Sequence, residues 1–138
     1  MSKSIVSGKR KRAVARAVIK EGDGLRINKK GLNNFNSFEV LIIQEPMRIA
    51  NEVLGGEKYD IDISVRGGGK SGQIEACRLA IARAILEHVK KQDSKKAESL
   101  KRAFTVYDRN LLIADTRRKE TYKPGDSKAR SKRQKSYR

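Results

Sequence analysis

The sequence has little of the residue types on which cross-links, metal sites and most catalytic sites depend. It contains one cysteine, Cys77, one histidine, His88, and no tryptophan in 138 residues. A single cysteine excludes an internal disulfide and leaves no cysteine set for a structural zinc site. One histidine without other supporting residues does not make a Ser/His/Asp or Cys/His catalytic set. We therefore predict a protein that is not an enzyme, with no catalytic residue, metal site or cofactor.

Aromatic residues and long apolar runs are also scarce. Phe, Tyr and Trp together make up 5% of the chain, so stacking on bases is not expected to dominate any binding of nucleic acid. No apolar run approaches the roughly 18–20 residues that a membrane-spanning helix needs. With a single cysteine, these features indicate a reducing, cytoplasmic location and no membrane partner.

Positive charge is abundant and is concentrated at the two ends. The chain has 33 Lys and Arg against 16 Asp and Glu, a formal net charge of +17. Residues 1–20 carry seven bases and no acid, and residues 117–138 carry ten bases and two acids, whereas residues 21–116 contribute only +2. Binding such ends to phosphates releases condensed counterions, while packing them together costs repulsion. The distribution therefore indicates a polyanionic partner.

The chain divides into a compact part and a basic tail. Between residues 116 and 138 the only large apolar or aromatic side chains are Tyr122 and Tyr137, too few to form a core. We predict a globular domain at 1–116, which begins with a basic segment, and an extended tail at 117–138. The 22 residues of that tail could span about 70 Å at roughly 3.3 Å per residue.

The apolar pattern predicts strands and helices in an order that does not alternate regularly. Strands are expected at residues 13–20, 25–27 and 59–66, where apolar and polar residues alternate. Helices are expected from residue 37 to Leu54, with Pro46 suited to a first turn, after the glycines of residues 67–72, with Glu75 in the first turn, and over residues 95–103. This order favours an α+β sandwich of two layers, with the helices on one face of the sheet.

The loop at residues 67–72, GGGKSG, leaves several interpretations open. It fits the G-x-G-x-x-G pattern of dinucleotide sites, although the expected acid would be Asp93, in a hydrophilic run. A Walker A loop would need a glycine where Ser64 stands. A tight turn without a ligand is a further alternative. The nearby bases Arg66, Lys70 and Arg78 favour contact with the phosphates of a polynucleotide, from a specific RNA or, in a non-specific compactor, from DNA.

Several stretches together resemble the small ribosomal subunit protein S-nine family. They are SGKRKRAVARA at residues 7–17, VRGGGKSGQ at 65–73, AIARAIL at 80–86, DTRRKE at 115–120 and QKSYR at 134–138. They span nearly the whole chain in the order that the family shows. The ending, with Tyr137 before the last residue, is similar to the archaeal and eukaryotic branch.

The resemblance implies a fold, a place and partners. The fold would be a mixed sheet with helices on one face, of the ribosomal S5 second-domain type. The protein would be a structural constituent of the head of the small ribosomal subunit, acting in translation. It would bind the 3′ major domain of 16S-type rRNA and contact neighbouring head proteins. Its C-terminal tail would reach the anticodon loop of the tRNA in the peptidyl (P) site.

Two sets of site residues follow from the charge pattern and the resemblance. Those predicted to contact rRNA are Lys9, Arg10, Lys11, Arg12, Arg16, Arg66, Gly67, Gly68, Gly69, Lys70, Gln73, Arg78, Arg109, Arg117, Arg118, Lys119, Lys128, Arg130, Lys132 and Arg133. Those predicted to lie near the P-site tRNA are Lys135, Ser136, Tyr137 and Arg138.

Overall fold

Five strands and three α-helices make up the part of the chain that a computed structural model describes, which is residues 4–124, 129–130 and 136–138. In chain order the elements are β1 (Ile5–Arg10), β2 (Ala13–Glu21), β3 (Gly24–Ile27), β4 (Lys30–Gly31), α1 (Ser37–Leu54), β5 (Tyr59–Arg66), α2 (Lys70–Gln92) and α3 (Ser94–Tyr107). Short 3-10 turns lie at Leu32–Asn34 and Arg109–Leu111.

The strands form one mixed sheet in the order β1-β2-β5-β3-β4. The pair β3–β5 is parallel, and the other neighbours are antiparallel. A parallel pair needs a crossover, and here α1 lies in the connection between β3 and β5. The predicted α+β class with a mixed sheet is confirmed. Kinship with the S5 second domain and the boundary of the tail stay predictions.

The core lies between one face of the sheet and the helices. Alternate residues of β2 and β5 are buried, and so is a helical stripe of α2: Ala13, Ala15, Ala17, Tyr59, Ile61, Ile63, Val65, Ile74, Cys77, Ile81, Ile85 and Val89. The alanines of β2 are small, and β1 has no side chain at Gly8, so α2 packs close to both strands. A Cβ at Gly8 would lie 2.3 Å from the carbonyl oxygen of Ala76, a separation that forces the helix away.

The strand β1 was not predicted. Lys9 and Arg10 belong to it, Lys11 and Arg12 form the turn that follows, and β1 pairs with β2 from Ile5↔Val18 to Arg10↔Ala13. The basic residues near the N-terminus are therefore part of the sheet. An edge strand has a solvated face on which Lys and Arg are tolerated. Its charged residues therefore do not show the apolar alternation from which a strand is predicted.

Helix α1 has its predicted bounds, whereas α2 differs from the prediction at its start and α3 continues beyond the predicted end. Helix α1 begins at Ser37, with a capping box between Asn36 and Glu39. The prediction that Pro46 lies in a first turn is wrong, because Pro46 is buried inside the helix. Helix α2 begins at Lys70, inside the glycine run, and Glu75 is therefore not in its first turn. The pattern of apolar residues locates the start of a helix poorly when a run of glycines overlaps its first turn.

Candidate nucleic-acid interface

The turn between β1 and β2 projects Lys11 and Arg12 into solvent. Both residues are exposed. Lys11 has a left-handed backbone with φ of +52°. This conformation costs a residue that has a Cβ atom roughly 1 kcal/mol. The surrounding sheet holds this backbone, so the tip of the hairpin presents its two cations in a fixed place.

The glycine loop after β5 packs against the backbone of that hairpin. Gly67 and Gly68 have φ of +76° and +67°. A Cβ on Gly67 would lie 2.6 Å from the carbonyl oxygen of Arg12, and one on Gly68 would lie 2.9 Å from the nitrogen of Ala13. Gln73 Nε2 donates to the carbonyl of Gly67 at 3.2 Å. Close packing of the loop on the hairpin therefore accounts for these two glycines without any ligand.

The N-terminus of α2 opens beside this contact. Its N-cap is Gly69, which has no side chain to accept from the first amides. Free amides and the helix dipole at such an end attract anions. Lys70, the first helical residue, lies with its Nζ 2.8 Å from Glu39 Oε1, and this bond is the main cause that lowers the pKa of Glu39.

Three arginines fasten the segment that follows α3 to the rest of the domain. Arg78 Nη1 lies 2.9 Å from Asp108 Oδ2, and its Nε binds Glu45. Arg83 donates from Nε to the carbonyl of Leu112 at 2.8 Å and from Nη1 to that of Ser7 at 2.9 Å.

Arg10 is the third of these arginines and the nearest to the tail. It binds Glu75 of α2 through Nε and Asp115 through Nη1, at 2.5 Å in the second case. Leu111, buried in the core, adds an apolar anchor to the same segment. We call Arg10, Arg78 and Arg83 the arginine clamp.

The clamp brings the start of the predicted tail next to the hairpin and the glycine loop. A groove of about 1030 Å³, here called the basic groove, is lined by Arg10, Lys11, Arg12, Gly68, Gly69, Arg117, Arg118 and Lys119. Six of these eight residues are cationic. Residues 10–12 and 117–119, which belong to the two basic ends, thus lie close together. Asp115 sits between them and reduces their repulsion.

Asp115 organises two of the guanidinium groups. Its carboxylate accepts from Arg117 Nη2 at 2.7 Å and from the Arg117 amide at 2.9 Å, besides the bond from Arg10. The side-chain and backbone bonds from Arg117, with the charge of Arg10, hold the pKa of Asp115 well below its usual range. The acid is therefore ionised near neutral pH and orients both arginines. No pattern in the sequence predicted this role for Asp115.

Other predicted site residues lie outside the basic groove. Arg78 is mostly buried by the carboxylates that it binds, so it acts within the clamp. Arg16 and Arg66 lie on the open face of the sheet, where they line a second depression of about 820 Å³. Lys9 is exposed on β1, and Arg109 is exposed in the 3-10 turn after α3.

The predicted residues of the far tail are described only in part. Lys128, Lys132, Arg133 and Lys135 lie outside the described residues. Arg130 Nε contacts Glu120 at 3.0 Å on the surface. Ser136, Tyr137 and Arg138 are exposed, with Tyr137 86% accessible. Which of the predicted residues contact RNA stays a prediction.

The groups that could suggest another chemistry have structural roles. Asp93 caps α3 by accepting from the Lys95 amide at 2.9 Å, so it is not the strand-end acid of a dinucleotide site. Burial raises the pKa of Cys77 to about 12, which keeps it an unreactive thiol.

Among the described residues no group of three or more His, Cys, Asp and Glu could hold a metal ion. None of the described helices is long and apolar enough to span a membrane.

A groove that gathers six Lys and Arg side chains around a glycine loop is typical of proteins that bind nucleic-acid backbones.

Comparison with known proteins gives the family. The chain belongs to the family described as ribosomal protein S9/S16, whose model matches residues 8–138. Members of this family are structural, non-enzymatic proteins of the small ribosomal subunit, which confirms both the resemblance and the prediction that the chain is not an enzyme.

Similar curated proteins come from archaea. The chain is 45% identical over 135 residues to "Small ribosomal subunit protein uS9" of Methanococcus maripaludis, with 95% of each chain covered. It is 43% identical, with the same coverage, to the protein of that name from Methanococcus vannielii. These relatives agree with the archaeal character predicted from the C-terminal residues.

Replacing Asp115 by Asn should destabilise the domain near neutral pH and matter less in acid. The pKa of this carboxyl is lowered by folding, so its stabilisation is present above the unfolded value, near 4, and is lost as pH falls below that value. Thermal unfolding of both proteins should show a Tm difference at pH 7 that shrinks progressively below about pH 4.

Asp23→Asn is the matched control for this experiment. Asp23 pairs with Lys58 on the surface, with both side chains largely exposed, and such pairs contribute little. An Asp115→Asn protein with unchanged Tm at pH 7, or with a Tm difference that persists undiminished at pH 2, would contradict the role given to Asp115.

Proposed function

We propose that this protein binds the rRNA of the small subunit through the basic groove, and that its C-terminal residues extend to the P-site tRNA. The RNA would be the 3′ major domain of 16S-type rRNA, which forms the head of the subunit. The observation that carries the proposal is the convergence of the hairpin turn, the glycine loop and Arg117–Lys119 on one groove. Family membership supports a place in the small ribosomal subunit, and the groove supplies cations that could bind the phosphates of its rRNA.

The charges of the groove suit a phosphate backbone. Lys11, Arg12, Arg118 and Lys119 have no carboxylate partner among the described residues, so their charges are available to a ligand. Each phosphate that they neutralise releases counterions. Arginine can also grip a phosphate with two parallel hydrogen bonds. The groove therefore supports binding to backbone phosphates without stacking on bases.

The form of the groove favours folded RNA over an isolated strand. Its walls come from the hairpin, the glycine loop and the segment after α3, and its cations stand on the first and the last of these walls. Closely spaced phosphates of a folded RNA likewise present charge on more than one side. Double-stranded RNA is recognised mainly by shape and by its phosphate and 2′-hydroxyl groups, which agrees with the low aromatic content. Arg16 and Arg66 on the open sheet face offer a second place for backbone contact.

The C-terminal residues suit a contact at a distance from the domain. Ser136, Tyr137 and Arg138 are exposed, and the clamp fixes the point at which the tail leaves the domain. From that point a tail of 22 residues could reach up to about 70 Å. A terminal arginine brings a guanidinium to the anticodon-loop phosphates, which it can bind in a bidentate way.

Removing two cations of the basic groove should lower the salt dependence of RNA binding. For the double variant Arg118→Ala/Lys119→Ala, we expect the slope of log K against log salt to fall by about 1.4–1.8, since each lost phosphate contact removes about 0.7–0.9. Binding to a 3′ major-domain rRNA fragment at several salt concentrations measures this slope. A duplex DNA of equal length shows whether the preference for RNA persists at high salt.

The double variant Lys90→Ala/Lys91→Ala is the control, because it removes equal charge at the far end of α2, roughly 30 Å along the helix from Lys70. It should leave the slope nearly unchanged. Equal losses in both double variants would mean that only net charge matters and would contradict a site at the groove. An unchanged slope after the loss of Arg118 and Lys119 would contradict it as well.

Replacing Arg138 by Ala should weaken the holding of tRNA in the P site while leaving assembly intact. We expect faster dissociation of P-site tRNA from small subunits that carry the variant, by about fivefold to tenfold if one charge-assisted contact of 1–1.4 kcal/mol is lost. Gradient sedimentation should show the variant present in subunits at the normal level. Normal incorporation with unchanged tRNA dissociation at matched salt would rule out this contact.

A further inference from the structure

We propose that a cleft beside the glycine loop holds one unpaired base of the bound RNA. This cleft, here called the side cleft, lies between the β3–β4 hairpin, the 3-10 turn that follows it and the start of α2, and its volume is about 330 Å³. None of its lining residues lines the basic groove. The proposal rests on RNA binding at that groove and adds a contact to a base, which the groove does not provide.

The inner part of the side cleft is apolar, and one of its lining residues is aromatic. Ile27 of β3, Val65 of β5 and Ile74 of α2 are buried and line the cleft. Phe35, at the end of the 3-10 turn, also lines it and is only partly buried. A base can stack on an aromatic ring, whereas a phosphate gains nothing from apolar surface. The cleft therefore suits a base better than it suits a second stretch of RNA backbone.

Two carboxamides in the side cleft retain hydrogen-bonding capacity for a ligand. Asn34 Nδ2 donates to the carbonyl of Gly31 at 3.2 Å, and Gln73 Nε2 donates to the carbonyl of Gly67, also at 3.2 Å. Each carboxamide has a second N–H, and its oxygen accepts no hydrogen bond from a described residue. A donor and an acceptor side by side are the groups that read the edge of a base.

The side cleft also carries an available positive charge. Lys30 and Lys70 line it, and none of the other described residues that line it is charged. Lys70 is paired with Glu39. Lys30 is exposed and forms no ion pair with any described residue. The net charge of the cleft therefore comes from Lys30, which can bind the phosphate of the nucleotide whose base enters.

The position of the side cleft favours RNA as the source of that base. Gly68 and Gly69 line the basic groove, and Lys70, the next residue, lines the cleft. Consecutive Cα atoms are only about 3.8 Å apart, so a strand bound in the groove passes beside the cleft. An unstacked base of that strand can then turn into it. Proteins that read RNA sequence bind such bases by stacking and by hydrogen bonds to their edges.

Other occupants match the side cleft less well. An apolar side chain of a neighbouring protein would cover the carboxamides and Lys30 without pairing them, which costs free energy. A second copy placed symmetrically would bring its own Lys30 against the first, in a chain of net charge +17. A nucleotide matches the aromatic and apolar surface, the carboxamides and the cation together.

Replacing Phe35 by Leu tests the stacking contact. We expect binding to a 3′ major-domain rRNA fragment to weaken by about fivefold or more. The slope of log K against log salt should stay unchanged, because no charge is removed. Phe38→Leu is the matched control, since Phe38 is a nearby exposed phenylalanine that does not line the cleft, and it should leave the affinity unchanged. Equal affinities of the two variants would overturn the proposal.

Photocrosslinking in assembled small subunits tests the proposal without removing the aromatic ring. p-Azidophenylalanine is placed at position 35, and the subunits are irradiated with ultraviolet light. We expect this position to be joined to an rRNA nucleotide that is unpaired in the subunit, which mass spectrometry after nuclease digestion identifies. Crosslinks to a protein, to a free mononucleotide or to a base-paired nucleotide, or no crosslink at all, would each overturn the proposal.

The same reporter at position 11, at the hairpin turn, tests the basic groove separately. RNA crosslinks at position 11 with none at position 35 would overturn the side cleft and leave the groove as an RNA site. RNA crosslinks at position 35 alone would support the side cleft and count against the groove. The absence of RNA crosslinks at both positions would overturn both proposals.

Discussion

The basic groove depends on the hydrogen bonds and ion pairs of the arginine clamp. Arg78 and Arg83 hold the segment after α3 against α1, α2 and β1, and Arg10 binds the last acid before the basic tail begins. These guanidinium groups are planar and have several donors, so one side chain can join two or three chain segments. Without them, Arg117–Lys119 would have no fixed position relative to the hairpin, and the basic groove would lack one of its walls.

Bringing six cations together costs repulsion, and the structure offsets this cost locally. Glu75 and Asp115 compensate Arg10 and Arg117, the two guanidinium groups nearest to the body of the domain. Lys11, Arg12, Arg118 and Lys119 have no carboxylate partner among the described residues, although Arg118 Nη1 donates to the carbonyls of Asp115 and Arg117 and Lys119 Nζ lies 4.8 Å from the centre of the Tyr122 ring. The groove therefore combines cations fixed by carboxylates, which set its shape, with cations that phosphates can neutralise. This division explains how a chain of such high positive charge can form the groove without a bound ligand.

Regular patterns predicted much of the fold from the sequence. The strand at residues 59–66 was predicted with its observed bounds, because four apolar residues alternate there with polar ones. The buried stripe of α2 from Ile74 to Val89 followed from helical spacing. The strand β1 was missed because its charges resemble those of a solvated arm, and its one buried residue is Gly8, which gives no apolar signal. Residues 67–72 were assigned to a loop, although α2 already begins at Lys70.

The candidate site was predictable as a set of residues but not as an arrangement. Charge and glycine spacing indicated Arg10 to Arg12, Gly68, Gly69 and Arg117 to Lys119. Their convergence depends on Arg83 and Asp115, whose contacts join residues far apart in sequence and leave no periodic pattern. The sequence also could not separate Arg78, which binds two carboxylates inside the domain, from Arg118, whose charge remains available.

The most direct test of this account is the distance between the hairpin turn and the start of the tail in the free protein. Spin labels are placed at positions 11 and 119, with Cys77 replaced by Ala. Pulsed electron–electron double resonance then measures the distance between the two labels in the absence of RNA. A groove held by the clamp predicts one narrow distance distribution that broadens when Asp115 is replaced by Asn. A broad distribution in the protein that retains Asp115 would contradict a groove formed before RNA binds.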